Sequence, residues 1–108
     1  LAAQAAFGIA ACQDALDKAD AAATAYREVI ASYPEDSVAG QARLALARLE
    51  ERRQQPAAAL KFYDELLRDK EAGAFSQQAR QLRDELLRRH PEVGPGTNAP
   101  TTAAPAVR

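Results

Sequence analysis

Apolar residues recur every three or four positions in five stretches of the chain, which is the spacing of one face of an α-helix. The pattern predicts five α-helices, near residues 1–17, 19–33, 37–54, 56–70 and 75–90. The apolar stripes of these helices are, in chain order, Leu1, Ala5, Ile9, Cys12 and Leu16; Ala22, Ala25, Tyr26, Val29, Ile30 and Tyr33; Val38, Ala42, Ala45, Leu46 and Leu49; Ala59, Phe62, Tyr63, Leu66 and Leu67; and Phe75, Ala79, Leu82 and Leu86. We expect each stripe to pack against a neighbouring helix, so the pattern predicts an all-α fold.

Residues that begin and end helices lie between these stretches. The carboxylate of Asp17 can cap the second helix, with Asp20 in the first turn, where the helix dipole favours negative charge. Asp36 or Ser37 can cap the third helix in the same way. The residues that we expect to separate the other helices are Pro34, Pro56, Gly73 and Pro91.

The sequence repeats itself at a spacing of 37 residues. Gln4, Gln41 and Gln78 obey this spacing, and so do Tyr26 and Tyr63. Alanine matches mean little in a chain with 27 alanines, but these matches do not involve alanine. The spacing therefore predicts two full copies, each a pair of helices over about residues 1–36 and 37–73, and a half copy that supplies the last helix.

The second helix of each copy resembles that of a known repeat family. The motif Ala22-x3-Tyr26-x2-Val29-x4-Pro34 is similar to the second helix of a tetratricopeptide repeat, with its small residue, aromatic residue and closing proline. Residues 59–66 repeat the first part of that motif. The resemblance implies antiparallel helical hairpins that stack as a right-handed solenoid, and a non-catalytic scaffold that binds a protein or peptide partner.

The repeat length and residues 26–47 are also similar to the longer-spaced repeats of bacterial envelope proteins, such as the outer-membrane assembly lipoproteins. This resemblance implies a fragment of a larger protein of the bacterial cell envelope. It further implies an extracytoplasmic, periplasmic location, with an anchor in a missing N-terminal segment.

In tetratricopeptide repeats the first helices of successive copies line a concave groove that binds peptides. By that resemblance, the candidate groove residues are Gln4, Phe7, Gln41, Leu44, Arg48, Arg52, Gln78, Glu85 and Arg89. These positions are also compatible with ordinary solvated side chains, since arginine is common on helix surfaces. Residues 1–42 contain two basic and six acidic residues, a net charge of −4, whereas residues 43–90 contain eleven basic and eight acidic residues, a net charge of +3.

Alanine makes up 27 of the 108 residues, and small side chains let paired helices approach closely. This interior use does not account for the surplus of alanine in the first helix. The candidate end-face contacts there are Ala2, Ala3, Ala6 and Ala10. We expect a preceding repeat or another copy of the chain to cover this face, whereas the polar fifth helix is expected to cap the other end. A structural or self-association module is therefore the second hypothesis from the sequence.

The sequence contains little catalytic chemistry. Cys12 lies on the apolar stripe of the first helix, which predicts a buried thiol, and His90 lies where a cation favours the carbonyl-rich end of the fifth helix. Adjacent acidic residues such as Glu50 and Glu51 diverge on a helix and are expected to be solvated. We therefore expect no enzyme activity, no cofactor and no metal site. Nucleic acid is not an expected partner because acids intersperse the arginines, and no apolar run is long enough to insert into a membrane.

The composition changes after the fifth helix. Residues 93–108 are rich in proline, threonine and alanine, and can bury too little apolar surface to offset the entropy lost on ordering. We therefore expect a helical domain over residues 1–92 and a disordered tail over residues 93–108.

Overall fold

The computed structural model describes residues 2–68 and 73–94, and within these ranges the chain forms five α-helices and no strand. The helices are α1 (Ala2–Ala15), α2 (Ala19–Ser32), α3 (Ser37–Arg52), α4 (Pro56–Arg68) and α5 (Gly73–Arg89), followed by a short 3-10 helix at Pro91–Val93. This confirms the predicted all-α fold and the number and order of its helices. α5 begins at Gly73, which we expected to break the chain before the helix. The predicted tail lies outside the described residues from residue 95 onward.

The start of α3 follows its prediction, whereas the start of α2 does not. The Asp36 side chain caps α3 by accepting a hydrogen bond from the Val38 N–H at 2.9 Å. Asp17 is not the cap of α2, because Lys18 occupies the cap position. The Lys18 side chain makes no cap hydrogen bond. Asp17 has a φ of 64° and lies in the left-handed turn that ends α1. In this turn the Lys18 N–H donates to the Gln13 carbonyl at 2.9 Å, so Asp17 terminates one helix instead of starting the next.

The same turn recurs 37 residues later, at the end of α3. Gln54 has a φ of 61°, and the Gln55 N–H donates to the Glu50 carbonyl at 2.8 Å. Neither turn contains glycine, the residue that usually adopts this conformation, so no glycine marks the turn in the sequence. The repeat therefore extends from the side chains to the backbone conformation at the ends of the first helices.

The helices pack in chain order, α1 on α2, α2 on α3, α3 on α4 and α4 on α5. The first helices of successive copies also touch, α1 with α3 and α3 with α5. One buried cluster joins α1, α2 and α3, and a second joins α3, α4 and α5. Fully buried alanines include Ala10, Ala22, Ala42, Ala47, Ala59 and Ala79. Small side chains thus lie in the interior, as close approach of paired helices requires.

The outer face of α1 differs from its prediction. Ile9 and Leu16 are 61% and 66% exposed, and Cys12 is exposed as well. At the positions equivalent to Ile9 and Cys12, Leu46 and Leu49 of α3 are buried in the cluster that includes α2. Among the described residues, only α2 and α3 contact α1, and neither covers this side. The predicted burial of Cys12 and of the stripe around it is therefore wrong.

The candidate end-face alanines lie only partly at the surface. Ala3 and Ala10 are 3% and 0% exposed, because they pack in the cluster formed by α1, α2 and α3. Ala6 is half-buried against the same cluster, whereas Ala2 is exposed. The end-face prediction is therefore wrong for Ala3 and Ala10, and the surface that α1 exposes is the one that contains Ile9.

Glu50 is buried rather than solvated, which corrects a further prediction. It is 3% exposed and lies between Arg27 of α2 and Arg53 at the end of α3, with N–O distances of 3.1 Å and 3.6 Å. A carboxylate can be buried only with such partners, because the loss of water must be offset by opposite charge and hydrogen bonds. Glu50 therefore belongs to the contact between the two copies, whereas its neighbour Glu51 is half-buried.

Candidate functional site

The candidate groove residues lie on three helices that touch side by side, α1, α3 and α5. The exposed members are Gln4, Gln41, Arg48, Arg52, Gln78 and Arg89. Phe7, Leu44 and Glu85 are half-buried. The Phe7 ring packs at a tilt on Tyr26, with ring centroids 5.7 Å apart, and Leu44 packs against the second buried cluster. Phe7 and Leu44 therefore contribute to packing as well as to this surface.

A pocket of about 260 Å³ lies between α3 and α5. We call it the central pocket, and the residues that line it are Arg48, Glu51, Arg52, Leu82 and Arg89. The structure thus brings together three of the predicted groove residues, and all three are arginines. Glu51 and Leu82 also line the pocket, although neither was a predicted groove residue.

A hydrogen-bonded triad connects the end of α1 to α2 and α3. The Tyr26 hydroxyl donates to Oδ2 of Asp14 at 3.1 Å. The other carboxylate oxygen of Asp14 forms an ion pair with Arg52 of α3. One acid therefore joins a tyrosine of its own copy to an arginine of the next copy.

The triad recurs 37 residues later with different residue identities but the same chemistry. The Tyr63 hydroxyl donates to Oε2 of Glu51 at 2.5 Å, and Glu51 forms an ion pair with Arg89 of α5. The tyrosine pair already indicates the repeat in the sequence, whereas the acid and the arginine of each triad were not among its predicted matches. The signal was present, since the same spacing relates Asp14 to Glu51 and Arg52 to Arg89. Two of the three arginines in the central pocket thus serve to link successive copies.

The triads set the protonation of both tyrosines. Burial, the charge of Asp14 and the hydrogen bond to it raise the pKa of Tyr26 to about 12. Burial and the hydrogen bond to Glu51 raise the pKa of Tyr63 well above its ordinary range. Both phenols therefore stay protonated, and remain donors, at pH values where an ordinary tyrosine ionises.

Arg48 differs from the other two arginines of the central pocket. Its side chain is exposed and forms no ion pair with any described residue, whereas Arg52 and Arg89 are each bound to an acid. Its charge nevertheless acts on the second triad, where it opposes the increase in the pKa of Tyr63. Arg48 is therefore the cation of this pocket whose hydrogen-bonding capacity is available to a ligand.

The described residues contain neither a metal-binding cluster nor a membrane-spanning helix. No group of three or more histidine, cysteine, aspartate or glutamate side chains in this part of the chain could hold a metal ion. Within the same ranges, none of the helices has the length and apolar character needed to cross a membrane. His90 lies just after α5, with its Nδ1 atom 3.3 Å from Oε2 of Glu92.

Comparison with known proteins identifies one family. Residues 4–36, which span α1, α2 and the connection to α3, match the family model of the tetratricopeptide repeat. No curated protein and no solved structure shows significant similarity to the chain. The matched segment contains the motif from Ala22 to Pro34 and coincides with the first of the two full copies. Residues 4–36 are therefore similar to a tetratricopeptide repeat, and the all-α arrangement of repeated helix pairs agrees with that similarity.

Proposed function

We propose that this protein is a non-catalytic scaffold that binds a peptide segment of a partner protein along α1, α3 and α5. Tetratricopeptide repeats mediate protein interactions and are typically non-catalytic modules. The observation that supports a site on this surface is Arg48, an exposed cation without an ion pair among the described residues, at the edge of a pocket.

The chemistry of the central pocket favours an acidic ligand. Arg48 can donate to a carboxylate from an aspartate, a glutamate or a peptide C-terminus, and a charge-assisted contact of this kind is stronger than a neutral hydrogen bond. Leu82 adds an apolar surface beside it. Arg52 and Arg89 contribute positive charge at the rim but are already engaged by acids. We therefore propose a peptide with an acidic group next to an apolar side chain.

The test begins with selection of peptides from a random library on the immobilised chain, followed by measurement of their dissociation constants. Selected peptides should be enriched in acidic residues, and Arg48→Glu should weaken their binding about tenfold or more, since a hydrogen bond to a charged group is worth about 1.5–3 kcal/mol. Arg68→Glu is the matched control, because Arg68 is exposed at the end of α4, away from the central pocket. Unchanged affinity in Arg48→Glu, with unchanged helicity, would refute the proposal.

Arg52→Glu requires a separate interpretation. This substitution places a second acid beside Asp14 and removes the ion pair between α3 and α1. We expect it to destabilise the stacked helices in addition to any effect on binding, so urea denaturation must accompany its binding measurement. Arg48→Glu breaks no ion pair with a described residue and is the cleaner test.

The second hypothesis, a structural or self-association module, is supported by the exposure of Ile9 and Leu16 on the outer face of α1. Origin from the bacterial cell envelope is proposed only on the similarity of residues 26–47 to the repeats of envelope proteins. Fractionation of cells that express the full-length parent protein tests that assignment, and recovery in the cytoplasm would contradict it.

A further inference from the structure

The side of α1 and α2 that contains Ile9 is open, whereas the equivalent side of α3 and α4, 37 residues later, is covered. Ile9 is 61% exposed and Cys12 is also exposed on the open side of α1. Their equivalents in α3, Leu46 and Leu49, are 0% and 2% exposed, within the cluster that includes α2. The same apolar stripe thus occurs twice, once with a helix packed on it and once without one among the described residues.

A cleft of about 560 Å³ lies between α1 and α2 on this open side. We call it the end groove, and the lining residues that matter here are Ile9, Gln13, Ala25 and Glu28. A shift of 37 residues places them on Leu46, Glu50, Phe62 and Glu65 of α3 and α4. At that second position Leu46 belongs to the cluster that contains the buried residues of α2, and Phe62 packs against the same cluster. The structure therefore shows which element covers the equivalent of the end groove, namely α2.

One polar atom indicates which hydrogen-bonding group an occupant of the end groove would supply. At the covered position, Glu50 accepts a hydrogen bond from Nη2 of Arg27, which α2 supplies, at 3.1 Å. In the end groove the equivalent residue is Gln13, whose Oε1 is buried without a hydrogen-bond partner. A buried carbonyl oxygen is normally paired, so the end groove lacks a donor at the place where Arg27 supplies one in the next copy.

We propose that the end groove binds a helix of the α2 type from a further tetratricopeptide repeat. The pattern it requires is that of α2: a small residue at the position of Ala22, an aromatic residue at that of Tyr26 and an aliphatic one at that of Val29. An arginine at the position of Arg27 would donate to Oε1 of Gln13. This inference concerns the outer side of α1 and α2 and does not depend on peptide binding at the central pocket.

A second copy of this chain does not fit the end groove. The face that α2 presents to a following first helix is covered by α3, and that of α4 is covered by α5. Two end grooves in contact would bring the acids Asp20 and Glu28 of both copies together, and the groove lining contains no basic residue to offset them. Residues 95–108 do not repeat the α2 pattern either, since the position 37 residues after Tyr63 is Pro100. The occupant is therefore a helix from outside the described residues.

The experiment supplies such a helix in cis and measures access to Cys12. A copy of residues 19–37 is joined directly in front of Leu1 in the full chain, which reproduces the connection between α2 and α3, because Leu1 is the equivalent of Val38. The reaction of Cys12 with a soluble disulfide reagent reports whether the stripe is covered, since Cys12 is the single cysteine of the chain and the added segment contains none. A linked helix has an effective concentration of about 1 mM, so an intrinsic dissociation constant of about 0.1 mM slows the reaction about tenfold.

The matched control is the same extension in which the copied Tyr26 is replaced by Asp. We expect the disulfide reagent to react slowly with Cys12 in the extended chain. In the control and in the unextended chain we expect it to react at the rate of an exposed thiol. Equal rates in all three would overturn the proposal. Protection that increases with concentration in the unextended chain, together with a dimer in sedimentation, would also overturn it, because a second copy would then be the occupant.

A second arrangement keeps the proposal testable if the extended chain fails to fold. A synthetic peptide of residues 18–34 is added at millimolar concentration to the unextended chain, with Ile9→Arg as the control on the receptor side. Protection of Cys12 that Ile9→Arg abolishes supports the end groove, and no protection by the peptide counts against it. Because Arg48→Glu should leave this protection unchanged, failure at the central pocket and failure at the end groove are distinguishable.

Discussion

Leu46 and Ile9 occupy the same position of the repeat but differ in burial, and this difference predicts a large difference in stability. Leu46 is 0% exposed in the cluster of α1, α2 and α3, whereas Ile9 is 61% exposed. Truncation of a fully buried leucine to alanine removes apolar contact and leaves a cavity, at a cost of about 2–5 kcal/mol. Full burial of an isoleucine side chain stabilises a protein by about 1.5–3 kcal/mol. Because Ile9 is less than half buried, it contributes less than half of that free energy. Alanine is also the better helix former, so Ile9→Ala should cost less than about 1 kcal/mol.

The assay is urea and thermal denaturation of the two variants and the parent chain, followed by circular dichroism at 222 nm. For a domain of this size each kcal/mol changes the Tm by about 4–8 °C. Leu46→Ala, at about 3 kcal/mol, should therefore lower the Tm by about 12–24 °C, and Ile9→Ala by a few degrees at most. A loss above about 2 kcal/mol for Ile9→Ala would refute the reasoning, because it would mean that another element covers the outer face of α1 in solution.

Three further predictions concern the triads and a helix cap. Tyr63→Phe should reduce the free energy of unfolding by about 1.5–3 kcal/mol, because Glu51 loses a donor at 2.5 Å; equal urea midpoints for variant and parent would contradict this. The pKa of Tyr26 is raised to about 12, so the stability that the protonated phenol contributes is fully present below about pH 10 and is lost as the pH rises through 12. The urea midpoint of the parent chain should therefore decline between these pH values, and that of Tyr26→Phe should decline less steeply. Asp36→Ala should cost about 1 kcal/mol in urea denaturation, because the Val38 N–H loses its cap, and Asp36→Asn, which keeps an acceptor, should recover most of it.

The periodicity of apolar residues predicted five helices and the face on which each stripe lies, but not whether a partner covers that face. The stripe that contains Ile9 and the stripe that contains Leu46 have the same spacing and the same residue class. Only the position of α2 against α3 distinguishes them. Cys12 was predicted to be buried for the same reason, and it would be buried if α1 had the neighbour that α3 has. Burial depends on tertiary contacts, and no local pattern contains that information.

The triads illustrate a different limit. Asp14 and Glu51 are chemically equivalent but not identical, so identical residues at the 37-residue spacing do not reveal them. Their role also depends on two partners that lie 12 and 38 residues away, so the function of each acid becomes visible only when the helices are stacked. The turn at Asp17 was missed for a local reason: its φ of 64° usually belongs to glycine or asparagine, and aspartate before a helix more often acts as an N-cap.

Substitutions along the repeat remove from the end groove the charged partners that join α3 to α2, and this determines how a helix would bind there. Glu50 of α3 and Arg53 just after α3 form ion pairs with α2, whereas the equivalent residues of the first copy are Gln13 and Leu16. α1 also has Ala15 at the position of Arg52, so a first helix packed on this side would find no arginine to complete a triad. Burial of Ile9 is then the main apolar source of affinity, with one hydrogen bond to Gln13. The added segment and residues 1–42 are both acidic, so salt screens a repulsion between them, and protection of Cys12 in the extended chain should persist or increase between 0.05 and 1 M NaCl. Peptide binding at Arg48 should weaken markedly over the same range, because there salt screens an attraction.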